Sequence, residues 1–195
     1  MILRDADIRE PLFAYLENRF GVIRILEEKT MGKSRADVLM VKEDGLYGIE
    51  IKSDADTYAR LKQQVRDYDR YYDYNYVVIG TTHVKHIEEH VPVYWGILVA
   101  DKEGSEIDFY EYRAPVKNPK VKWKWKITVL WRIELAHIQE RNHLPKYKQK
   151  SKKFVQEKVL EKLDENTLQK EFIHELFERD YQLIEEEIRL YKEHQ

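Results

Sequence analysis

The chain has 195 residues, of which 43% are hydrophobic and 36% charged, with no cysteine and a net charge of −2. That length carries one domain with a real core, or one domain plus an appendage, and the composition excludes a disulfide scaffold, a thiolate metal site and an intrinsically disordered chain. No apolar run reaches the roughly 18 residues of a membrane span, and the acidic start MILRDADIRE lacks the basic and apolar regions of a signal peptide, so a cytoplasmic protein off the membrane is expected.

In chain order, DADIREPLFAYLENRF places Ile8, Leu12, Leu16 and Phe20 at helical spacing. Asp7 is the expected cap, Pro11 falls in the first turn, and Gly21 closes the helix. VIRILEEKT reads as a strand, ADVLMV and LYGIEIKS as two more joined by the short turn KEDG, which makes an antiparallel hairpin. Asp54 or Asp56 is placed to cap the helix ADTYARLKQQVRDYDRYYDY. YVVIGT then reads as an interior strand and HVKHIEEHV as one or two helical turns. YWGILVA is a further strand and EIDFYEYRA an edge strand. Helix, three strands, helix, strand, short helix, two strands suggests a mixed sheet with helices on its faces.

Pro115 and Pro119 mark a boundary, so residues 1–114 are expected to form the α/β core and 115–195 a basic linker with a helical extension. From Ile127 the pattern is helical, and two further amphipathic helices follow, with Asp164 and Asn166 at their junction and Phe154, Leu160, Leu163, Leu168, Phe172 and Leu176 as the core stripe. Charge is unevenly spread. Residues 113–153 hold 13 Lys or Arg against Glu134 and Glu140, while both flanks are net acidic. A basic middle is either a polyanion footprint or a solvated loop region. Its PKVKWKWKITVLW interleaves lysines with Trp123, Trp125 and Trp131. Phosphate-binding lysines with indoles against bases fit that pattern, as does burial of the tryptophans beneath wet lysines. His83, His86 and His90 are most simply surface residues of their short helix.

The hairpin carries the chemistry. Strand side chains alternate, so Gly48, Glu50 and Lys52 share one face. Arg35, Asp37, Leu39 and Val41 share a face of the preceding strand. If KEDG is a four-residue loop, Val41 meets Leu46 and Asp37 lies opposite Glu50; if the loop is only Asp44–Gly45, Asp37 lies opposite Lys52. Either register gathers Asp37, Glu50 and Lys52, and a one-residue slip would scatter them. Two facing carboxylates repel and need a cation. Mg²⁺, for which Mn²⁺ commonly substitutes, binds through one or two carboxylates, water and phosphate oxygens, and a lysine beside it can orient a water. The plain alternative is a surface hairpin with exposed ion pairs.

RAD at 35–37, the turn, EIK at 50–52 and the following helix resemble the PD-(D/E)XK nuclease superfamily, which includes restriction endonucleases, RecB-type nuclease domains and Holliday junction resolvases. Ala36 stands where the motif's proline would be. EIKSDADTYARLKQQVRDYDRYYD, VVIGTTHV, PVYWGILVA, LWRIELAHI and ELFERD are similar to a bacterial and phage family within that superfamily. The resemblance implies a restriction-endonuclease-like core and a Mg²⁺-dependent (deoxyribo)nuclease, an endonuclease, acting on DNA. Asp37 and Glu50 would hold the metal and Lys52 would position the water. An acid of the first helix would join them, Glu10 fitting best and Glu17 next, and Glu27 or Glu28 of the first strand could contribute. Gln64 resembles a glutamine that some members place near metal or DNA, and otherwise is a helix-surface amide. Arg35, Arg60, Lys117, Lys120, Lys122, Lys124 and Lys126 are the expected nucleic-acid contacts. The helical C-terminus would shape access or dock a second copy or a protein partner. Two rival readings keep the fold: a non-catalytic nucleic-acid-binding or assembly module, and a toxin or defence effector active only with its partner.

Overall fold

The computed structural model describes residues 3–31, 34–104 and 106–180, with side chains for all of these except 28–30 and 103. They divide into two compact units, Met1–Lys126 and Ile127–Gln195, so residues 115–126 belong with the sheet. No described helix is long and apolar enough to cross a membrane.

The first unit is a six-stranded mixed sheet in the sequential order β1 to β6. Helix α1 (Asp5–Phe20) precedes β1 (Arg24–Met31), β2 (Ser34–Lys42) and β3 (Gly45–Lys52), which form an antiparallel meander. Helix α2 (Leu61–Tyr71) crosses over to β4 (Tyr74–Gly80), parallel to β3. Two single 3₁₀ turns lead to β5 (Gly96–Glu103), parallel to β4, and β6 (Glu106–Arg113) closes the edge antiparallel. The short helix α3 (Trp123–Lys126) ends the unit.

Strand alternation divides the core. Val38, Met40, Tyr47, Ile49, Ile51, Tyr76, Val78, Leu98 and Ala100 pack with Ile8, Leu12 and Leu16 of α1. The alternate residues face α2, where Gly48 admits the rings of Tyr68 and Tyr72: a Cβ there would lie 2.7 and 2.1 Å from them. All eight residues of β3 are therefore buried, covered on both faces.

Several local expectations change. Helix α1 begins at Asp5, so Asp7 sits in its first turn and accepts the Arg4 N–H at 2.9 Å, while Pro11 lies inside the helix, beyond the first turn. Neither Asp54 nor Asp56 caps α2, which starts only after a 3₁₀ turn at Tyr58–Arg60. Asp56 accepts from the Ser53 N–H and hydroxyl, and Asp54 from Thr82 and the Leu3 N–H, so both close the loop after β3.

Residues 115–126 form a strap fastened to α2. Asn118 donates to the Asp69 and Tyr72 carbonyls at 2.9 and 2.7 Å, satisfying the helix C-terminus. Asp69 accepts from Trp95 Nε1, Tyr94 and Lys120. Asp73 accepts the Leu46 N–H and pairs with Lys126 at 2.7 Å.

In the second unit a 3₁₀ turn (Ile127–Val129) leads to α4 (Arg132–Arg141), α5 (Lys152–Lys162) and α6 (Glu165–Phe177). Ser151 caps α5, and Asp164, not Asn166, caps α6. Val155 and Val159 take the buried positions of α5, while Phe154, Leu160 and Leu163 are only partly buried; Leu168, Phe172 and Leu176 are core as expected. Arg179 pairs bidentately with Glu134 at 2.6 and 2.7 Å. Residues 181–195, the expected end of the last helix, lie outside the described residues.

Candidate metal and nucleic-acid site

The hairpin takes the register Val41↔Leu46, with Val38 opposite Ile49, which corresponds to the four-residue reading of KEDG. The β2–β3 ladder stops at Val38, while β2 continues beside β1 to Ser34 and β3 continues beside β4 to Lys52. The two strands splay, and the splay needs a substitute partner for the freed backbone. The Asp37 side chain is that partner: its Oδ2 accepts the Ile51 N–H at 2.9 Å.

Glu50 and Lys52 lie at the same end of β3, on the face covered by α2. They are 1% and 4% exposed, and their Oε1 and Nζ atoms lie 2.5 Å apart. This excludes the surface-hairpin reading, because a charge pair this deep pays a desolvation cost that an exposed pair avoids. Glu50 Oε1 also accepts from Gln64 Nε2. Tyr68, fully buried, brings its hydroxyl to 2.7 Å from Glu50 Oε2 and receives the Asp37 N–H at 3.4 Å. Burial, then the charges of Glu50 and Asp37, hold its phenol well above the usual pKa, so it stays a donor.

Asp37, Glu50, Lys52 and Gln64 share one cleft of about 560 Å³ with Asp5, Ser34, Arg35, Asp56, Arg60 and Gln63. Burial is the main force on Asp37, with Glu50 next; together they raise its pKa from 3.8 to about 7 against the Ile51 N–H and Lys52. The pair is short of positive charge.

Among the described residues no three or more His, Asp or Glu side chains are grouped to hold a metal. Mg²⁺ needs only one or two carboxylates beside waters, and the oxygens here suit it. Gln64 Oε1 is a buried acceptor with no partner, and Asp37 carries a carboxylate that its surroundings disfavour.

The first helix contributes differently from expectation. Glu10 and Glu17 are exposed and do not line the cleft; Asp5 does, and Arg9 donates to the Asp37 carbonyl at 3.0 Å and to Asp5 at 2.9 Å. Glu27 lies 3.7 Å from Arg9 and outside the cleft, while the Glu28 side chain is outside the described residues. Arg35 and Arg60 are exposed cleft residues. Lys117, Lys120, Lys122 and Lys124 are exposed on the strap, away from the cleft lining, with Lys120 bound to Asp69. Lys126 is 1% exposed and neutralises Asp73, so it is not a phosphate contact. His83 and His90 lie against Tyr58, at 4.9 and 4.1 Å. Sequence reasoning missed Tyr68, Asp5 and Arg9. The signal for Tyr68 was its position one turn after Gln64 on the helix face that carries Leu61 and Val65.

A family model described as bacteriophage P4 protein cII matches residues 4–191. No curated protein sequence matches the chain. Among solved structures, SfsA of Pyrococcus furiosus in complex with Ca²⁺ superposes with a TM-score of 0.34 at 15% identity, over 59% of this chain and 62% of that one.

Proposed function

The chain belongs to the bacteriophage P4 protein cII family, and we propose that it is a metal-dependent nuclease hydrolysing DNA phosphodiesters. One observation carries the reading: Asp37, Glu50 and Lys52 meet in a single cleft, where the two carboxylates face one buried lysine. Asp37 and Glu50 would hold Mg²⁺, with Gln64 Oε1 as a further oxygen at its margin. When bound, the metal supplies charge stabilisation on the phosphoryl oxygens and a lower pKa for the attacking water. Lys52 points its ammonium at Glu50 and is placed to hold that water. Tyr68 and Gln64 fix the Glu50 carboxylate, and Arg35 and Arg60 at the rim are placed to hold the phosphate. The PD-(D/E)XK likeness of the motif supports this assignment of roles.

The test is cleavage of plasmid and oligonucleotide DNA with Mg²⁺ or Mn²⁺. Loss of at least 100-fold in rate is expected for Lys52→Ala, and equal cleavage by this variant and the wild type would remove Lys52 from the reaction. A second reading, a non-catalytic binding module, is favoured by one fact: Lys52, Gln64 and Tyr68 already occupy Glu50. It expects DNA binding without cleavage and no calorimetric Mg²⁺ signal that depends on Asp37.

A further inference from the structure

The outer face of α2 carries a row of cations. Lys62, Arg66 and Arg70 are exposed and recur every four residues, which sets them about 6 Å apart along one stripe of the helix. The acids of the helix are withdrawn from that face. Asp67 is buried under Ser34 and Gln63, with Arg70 at 3.9 Å, and Asp69 is buried under Trp95, Tyr94 and Lys120. The N-terminal end of the row adjoins Arg60 and Gln63, which line the cleft. Its other end meets the strap. The Lys122 N–H donates to the Arg70 carbonyl at 3.1 Å, and the Arg70 guanidinium lies 5.7 Å from the ring of Trp125. Trp125 is 37% exposed on a strap that contains no acid, with Lys124 5.5 Å from the same ring.

We propose that this surface is a track for a single-stranded polynucleotide leaving the cleft, with Lys62, Arg66 and Arg70 on successive phosphates and Trp125 stacked on a base. The inference rests on the reading that the cleft takes a phosphodiester. A row of cations follows any nucleic-acid backbone. The indole selects the single strand, because an unpaired base offers its face to an aromatic ring whereas a duplex keeps its base faces inside the stack.

Fluorescence anisotropy in EDTA, with a labelled 20-mer as a single strand and as a duplex, tests the track without turnover. The wild type is expected to prefer the single strand. Trp125→Ala is expected to weaken single-strand binding roughly 10-fold while leaving its salt dependence and duplex binding unchanged. Arg66→Gln with Arg70→Gln is expected to weaken it and to lower the salt slope by about 1.4. If Trp125→Ala lowers the melting temperature, Trp125→Leu supplies the stacking measurement, and Lys62→Gln with Arg66→Gln, both exposed, the phosphate one. Single-strand binding unchanged in these variants, or duplex binding reduced by the same factor when Trp125 alone is replaced, overturns the track. The two readings fail separately: wild-type binding without cleavage in Mg²⁺ removes the nuclease and keeps the track, and cleavage with unaltered variant binding does the reverse.

Discussion

Asp37 performs two tasks that oppose each other. Its carboxylate replaces a backbone acceptor for the Ile51 N–H, which favours the ionised form, yet burial and Glu50 raise its pKa to about 7. The folded protein therefore binds this proton more tightly than the unfolded chain, whose pKa is near 3.8. The contribution to stability is complete below pH 3.8 and is lost as pH rises through 7. Three pH units set an upper bound of about 4 kcal/mol on that loss. In EDTA, Asp37→Asn is expected to match the wild type in thermal melts below pH 3.8 and to exceed it by a growing margin up to pH 8. Mg²⁺ at pH 8 should raise the wild-type melting temperature and leave the variant's unchanged. A variant less stable than the wild type at pH 8 would show that burial and Glu50 together do not outweigh the Ile51 N–H bond and Lys52 at Asp37.

At the scale of elements, the site exists because β2 and β3 part beyond Val38 while α2 lies close enough for Tyr68 and Gln64 to reach Glu50. Gly48 sets that closeness. Gly48→Ala is expected to cost about 1–3 kcal/mol in urea unfolding, as overpacking does, and to lower Mg²⁺ affinity by displacing the two residues that hold Glu50. An unchanged midpoint would mean that α2 moves without strain. Strand parity made the hairpin face legible in the sequence, because its period of two leaves few registers. The helical acid was misread although the signal was there. Ile8, Leu12 and Leu16 define the inward stripe of α1, and Glu10 lies about 200° around the helix from Ile8, whereas Asp5 and Arg9 are spaced i, i+4 on one side. The caps were less legible: Asp54 and Asp56 have ideal cap chemistry, but Thr82, Leu3 and Ser53 compete for them through contacts the linear sequence does not display. Lys126 shows the same limit, since only the fold brings Asp73 to it.

For the whole molecule, a chain that divides into two compact units is expected to show two cooperative transitions. The sheet unit rests on apolar faces and the buried Glu50–Lys52 and Asp73–Lys126 pairs. The helical unit is smaller and contains a buried ion pair in which Arg179 and Glu134 are essentially unexposed, bonded at 2.6 and 2.7 Å, with Arg179 4.8 Å from the ring of Trp131 and its Nη2 also donating to the Val129 carbonyl. Removing one partner strands the other charge away from water, at a cost of about 3–5 kcal/mol. Arg179→Met should therefore lower one calorimetric transition by several degrees and leave the second in place, and Glu134→Gln should lower the same one. The double variant is expected to lose less than the sum of the two, because the second substitution removes the stranded charge left by the first. The DNA cleavage proposed for the sheet unit should persist at temperatures below both transitions. If Arg179→Met shifted both transitions together, the chain would unfold as one cooperative unit and the pair would stabilise the sheet as much as the helices.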